Sequence, residues 1–169
     1  MVVTLAGNLR AFVLRATERL GFLVPTLTRL CVGWVFMTSG WGKLHNLQSV
    51  TAYFAELGIP YPELQAPFAS AVELVAGAAL LLGLFTRLAS IPLVVVMIVA
   101  IGTAKRADLT AFGDLFGISE YLYVLLLGQL IVLGAGPLSI DRFLVNRFRD
   151  EIEELDVPSA GGRELRAAA

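Results

Sequence analysis

The chain has 169 residues, 57% of them hydrophobic and 16% charged, with a net charge of −1. Soluble domains hold roughly 45–50% apolar and about 25% charged residues, so too few polar side chains are present to coat a water-soluble globule. The near-neutral charge leaves no electrostatic footprint for nucleic acid, and a single cysteine (Cys31) and a single histidine (His45) argue against an internal disulfide, a CxxC pair or a metal or haem site within one chain.

In chain order, Leu9, Phe12, Val13, Ala16 and Leu20 recur at helical spacing, with Arg10, Arg15, Thr17 and Glu18 mainly between them. This predicts a basic amphipathic helix lying on a membrane surface. Arg10, Arg15 and Arg19 interrupt the apolar core that a signal peptide requires. Four apolar segments follow, at about 24–44, 66–85, 88–104 and 119–138. About 20 residues are needed to cross ~30 Å of hydrocarbon, and tilt absorbs shortfalls. Pro25 falls in the first turn of the first span, where its missing N–H costs little. Cys31 is expected there as a small buried hydrophobe. Beyond the last span, Ser139-Ile140-Asp141 can cap a short helix whose apolar stripe is Ile140, Phe143, Leu144 and Phe148. The acidic run 150–156 and a small, polar end complete the chain.

The predicted fold class is therefore an all-α membrane protein, a four-transmembrane-helix bundle with amphipathic interfacial helices at both ends. Its parts are an interfacial segment (1–22), the bundle (23–138) and a cytoplasmic helix with tail (139–169). Arg10, Arg15, Arg19, Arg87, Arg142, Arg147 and Arg149 fall on one side, against Lys43, Lys105 and Arg106 on the other. Basic residues concentrate on the cytoplasmic side, which places both termini there and the 43–65 and 105–120 loops outside. Trp41, Tyr53, Phe54, Tyr61 and Tyr121 fit an interfacial aromatic belt.

A charge within the bilayer costs at least ~2.5 kcal/mol, so it should face the bundle with a partner. Arg29, Gly33, Phe36, Gly40 and Lys43 recur at spacings of four and three, forming one stripe whose glycines admit a neighbouring backbone. Glu73 and Gly77 are one turn apart on the second span. Antiparallel pairing puts Glu73 near the outer end of the first span, within reach of Lys43 or His45. Arg29, Arg87 and Asp141 form a second, structural cluster, in which Arg29 is expected to pair with Asp141 or to bond cytoplasmic-end carbonyls. Gln129 is the most polar residue of the last span and suits an interhelical hydrogen bond. Glu73 is the candidate for chemistry, and Trp41, Lys43, His45, Glu73 and Gln129 are candidates for a ligand or quinone pocket.

The runs Trp34–Leu44 (WVFMTSGWGKL), Tyr53–Pro62 (YFAELGIPYP), Glu73–Leu88 (ELVAGAALLLGLFTRL) and Leu133–Asp141 (LGAGPLSID) resemble the DoxX family in order and spacing, over roughly residues 26–145. The resemblance implies a small four-span bacterial inner-membrane protein. It marks Lys43, Glu73, Thr86, Arg87 and Asp141 as family features without giving them roles. Relatives of this kind are associated with a thiosulfate:quinone oxidoreductase and a terminal oxidase. Three roles stay open, in this order: a non-catalytic subunit docking or organising a quinone-linked membrane complex; a quinone-binding oxidoreductase subunit with Glu73 handling the proton; and a small transporter with Glu73 and Gln129 on its path. The expected partners are the lipid bilayer and a protein subunit or a second copy. No metal or covalent cofactor is expected, only a quinone or a bound lipid.

Overall fold

The computed structural model describes residues 21–147 apart from positions 137 and 144. The predicted surface helix ahead of the first span and the acidic tail lie outside the described residues. The described secondary structure is helical throughout: α1 (Leu23–His45), α2 (Leu47–Glu56), α3 (Pro62–Leu82), α4 (Thr86–Gly102) and α5 (Ser119–Leu133). Two 3-10 turns, Arg106–Asp108 and Phe112–Gly117, lie between α4 and α5. Residues 140–143 and 145–147 are helical, with Ser139 Oγ accepting from the Arg142 N–H at 3.2 Å, as the capping pattern predicts.

The antiparallel pair α1–α3 forms the most extensive contact, followed by α4–α5. Small residues make the first pair possible. A Cβ at Gly40 would run into the backbone of Leu74, and one at Gly77 into the backbone of Met37. The two main chains therefore meet directly, with no side chain between them. The predicted stripe is buried from Arg29 through Gly33, Phe36 and Gly40. Val32, Phe36, Ala76, Leu80, Leu93, Met97, Leu127 and Leu130 fill a core between α1, α3, α4 and α5.

The outer surfaces are apolar: Trp34, Leu64, Val75, Leu122 and Val132 are all more than half exposed. Such continuous apolar surface requires a non-aqueous solvent. By length and mean hydropathy together, α3 is long and apolar enough to cross a membrane; α4 and α5 are apolar but shorter, and α1 carries Arg29 and Lys43. Cys31 differs from expectation. It is exposed on the outer face of α1, because the inner stripe is occupied by Arg29, Val32 and Gly33.

The 43–65 segment, expected as a loop, contains α2. Its Leu57-Gly58-Ile59 exit turns through Gly58 at φ +71° and delivers the chain to Pro62 in the first turn of α3. At the opposite end, Gly83 (φ +68°) closes α3 with Leu84 N–H donating to Ala79 C=O at 2.9 Å.

Arg29, Arg87 and Asp141 do gather at this end, but not as ion pairs. Arg29 Nη2 donates to the Leu138 carbonyl at 2.8 Å, and Arg87 Nη2 to the Val132 carbonyl at 3.3 Å. Asp141 accepts from the Phe85 N–H at 2.6 Å and the Thr86 N–H at 2.9 Å. The reason is that α4 begins on a left-handed Phe85 and has no cap of its own, so its free N–H groups and positive end draw the carboxylate. Asp141→Ala is therefore expected to destabilise the bundle by about 1.5–3 kcal/mol, the worth of hydrogen bonds to a charged group. Asp141→Asn, which keeps one acceptor oxygen, should cost less. Melting temperatures in detergent micelles check both.

Candidate functional site

Glu73 is carried into the interior by the buried face of α3, together with Ala66, Ser70 and Gly77. Directly across, α1 presents Ser39 and Lys43, one turn apart. Lys43 Nζ reaches both carboxylate oxygens, at 2.6 and 2.7 Å, and Ser39 Oγ donates to Oε2 at 2.9 Å. The Glu73 side chain is 2% exposed and that of Lys43 36%. The pair thus has one end sealed and one end open. Lys43 also sits in the last turn of α1, where a cation meets the negative end of the helix.

The pair forms part of the wall of a cavity of about 960 Å³. Phe36 of α1, Tyr53 and Phe54 of α2, Val72 of α3, Val96 of α4 and Tyr123 of α5 also line it, and most of its surface is apolar. Thr103, Lys105 and Glu120 bring further polar groups to it. The size and the few convergent polar groups suit one drug-sized organic ligand. The α4–α5 connection beside it is braced by Asp114, whose carboxylate accepts from the Ala111 N–H at 2.7 Å and from the Thr110 N–H and Oγ1 at 2.8 Å. These bonds hold its carboxyl below the ordinary aspartate range.

Of the pocket residues named from the sequence, Glu73 and Lys43 come together and line the cavity. His45 instead donates from Nδ1 to the Trp41 carbonyl at 2.9 Å, and its ring lies 4.3 Å from the Trp41 ring. Both are exposed, at the C-terminal end of α1. Gln129 is half-buried on α5, away from the cavity, and makes no side-chain hydrogen bond among the described residues. Tyr53 and Phe54, read from the sequence as belt residues, line the cavity, and Ser39 and Tyr123 were missed. Ser39 was within reach of sequence reasoning, since it stands four residues before Lys43 on the same face.

A buried ion pair is weak evidence of a stabilising device, because desolvation offsets most of the attraction. Apolar side chains would join α1 and α3 equally well, and the pair stands where α1 and α3 meet the cavity wall.

The DoxX family model matches residues 24–106, and a second model, described as TQO small subunit DoxD, matches residues 66–160. An uncharacterised membrane protein of Mycobacterium tuberculosis, Rv3486, is 34% identical over 131 residues, covering 70% of this chain and 80% of its own. The Bacillus subtilis protein named "Putative oxidoreductase CatD" is 28% identical over 120 residues, covering 70% of this chain and 84% of its own. The inner membrane protein YphA of Escherichia coli is 33% identical over 127 residues, covering 69% and 86%. No solved structure matches the chain.

Proposed function

From the premise that the chain belongs to the DoxX family of membrane proteins, we propose that it is an accessory subunit of a quinone-linked redox complex in the bacterial inner membrane. In this reading α1, α3, α4 and α5 each cross the bilayer, with both termini cytoplasmic and α2 lying on the outer side. The 17 residues of α4 and the 15 of α5 rise about 26 and 23 Å, which local thinning and the flanking residues extend to the hydrocarbon thickness.

The observation that carries the proposal is the apolar cavity with a buried carboxylate on its wall. A quinone ring is flat and apolar, with two carbonyl oxygens that become hydroxyls on reduction. The ring suits the aromatic and aliphatic lining, and one oxygen suits the Glu73–Lys43–Ser39 group. Quinol oxidation releases two electrons and two protons. The electrons go to the partner oxidoreductase, the Glu73 carboxylate is the group suited to take one proton, and the other passes to water at the partly exposed Lys43 end. The relationship to a small subunit and to a relative with an oxidoreductase name supports a division of labour between this chain and a catalytic partner.

Purification from its native membrane in mild detergent is expected to yield the chain with bound quinone and a redox protein. A preparation that carries neither, and that takes up no added quinone, overturns the proposal. For the topology, a single cysteine at Glu56 (with Cys31 replaced) should be labelled from outside intact cells. Labelling from outside of a cysteine at Ser159 would overturn the orientation.

A further inference from the structure

The cavity has two kinds of wall. Towards the Arg29 end it is closed by the packed core, where Leu80, Leu93, Leu127 and Leu130 are fully buried. Towards the outer half of α3 and α4 it is open. Phe68 of α3 and Ile91, Val95 and Val99 of α4 all line the cavity, yet their exposures are 71, 48, 54 and 46%. Lining residues this exposed mark where the wall is one side chain thick or open. Val35 of α1 and Tyr53 of α2 are also exposed there, at 38 and 48%, but each is the one such large hydrophobic on its helix, whereas α3 and α4 together bring four. Ile91, Val95 and Val99 are spaced by four, so they form one edge along α4, and Phe68 stands on the α3 side. Pro92 lies beside this edge. It has no N–H to give to the Leu88 carbonyl, which weakens α4 at the level where the opening begins.

No charged or hydrogen-bonding side chain stands among these four. A polar solute in water has nothing to recognise there, and the surrounding apolar helix faces put the opening against lipid. We propose that the gap between α3 and α4 is a lateral portal to the bilayer, through which a ligand with a long apolar tail reaches the cavity. Its compact ring meets Glu73 and Lys43, while its tail lies across Phe68, Val95 and Val99 into lipid. This rests on the quinone reading and narrows it: the ligand is a prenyl-tailed quinone, and the tail supplies binding energy at the portal. The tail also explains why the cavity needs no seal on this side, since the tail and lipid chains exclude water from it.

The test compares a radiolabelled quinone carrying a prenyl tail with the same ring lacking it, by retention on purified protein. The wild type is expected to hold the tailed ligand at least tenfold more tightly than the bare ring. Val95→Phe combined with Val99→Phe, which fills the portal, is expected to weaken the tailed ligand at least tenfold and the bare ring less than twofold. Val75→Phe, on the exposed face of α3 away from the cavity, should change neither. Phe68→Ala widens the gap and should release the tailed ligand at least threefold faster, which keeps the test decisive if the double variant folds poorly. Unchanged retention and release of the tailed ligand in both portal variants overturns the portal and leaves the quinone reading standing. A wild type that retains neither ligand overturns the quinone reading and the portal with it.

Discussion

Gly77→Leu is expected to abolish the folded protein, and Gly40→Ala to destabilise it by at least about 3 kcal/mol, the upper end of ordinary overpacking costs. The reason is what stands opposite. At Gly77 an added Cβ meets the backbone of Met37, the Phe36 carbonyl carbon at 2.9 Å and the Gly33 oxygen at 3.0 Å. At Gly40 it meets the Leu74 main chain and the Ser70 oxygen at 2.7 Å. A flexible side chain could swing aside, but a helix backbone can yield only by moving the whole helix. Separating α1 from α3 would also pull Lys43 from Glu73, so packing and ion pair fail together. Gly42→Ala is the control, because nothing lies within 4 Å of a Cβ there. Detergent-resistant melting of the three variants should put Gly42→Ala at or above wild type and the other two far below.

Substitution of Glu73 separates packing from chemistry. Glu73→Leu removes the partner of Lys43 and the acceptor of Ser39, and breaking a buried pair costs about 3–5 kcal/mol. Lys43 is partly exposed and can turn towards water, so the lower end of that range is expected. Glu73→Gln keeps an oxygen for Lys43 or Ser39 and should cost about 1–3 kcal/mol. It cannot take up a proton as a carboxylate does. In the quinone reading, the Gln variant therefore folds, yet loses at least tenfold in quinone-dependent electron transfer with its partner. A Glu73→Gln variant with full activity would reduce Glu73 to a packing residue.

The parts of this arrangement that follow a helical period could be read from the sequence. Arg29, Gly33, Phe36, Gly40 and Lys43 announce a face because their spacing of four and three has no other simple cause. The Glu73–Lys43 meeting then follows from depth, once α1 and α3 run antiparallel. Asp141 could not be read in the same way. Charges are visible in a sequence, whereas its partners are backbone N–H groups left free by the left-handed turn at Phe85. The helix α2 was within reach of the sequence, since it is the most amphipathic of the five named helices, but its ten residues are too few for a span and read as part of a loop. The cavity is a shortfall of side chains between helices, and a shortfall leaves no motif.

The Lys43–Glu73 pair also has an order in time. The two residues stand 30 apart, so at roughly 5–20 residues per second Lys43 leaves the ribosome about 2–6 s before its partner. In the four-span reading α1 then waits with an unpaired ammonium, but a lysine in the last turn of a helix can stretch its stem and keep its head in the headgroup layer. When α3 arrives, its carboxylate finds a cation and a glycine-lined face already in place. Had the acidic residue been on the earlier helix, its short side chain would have spent the same seconds stranded below the surface. In that reading, α1 is the template in biosynthesis and α3 the piece fitted to it.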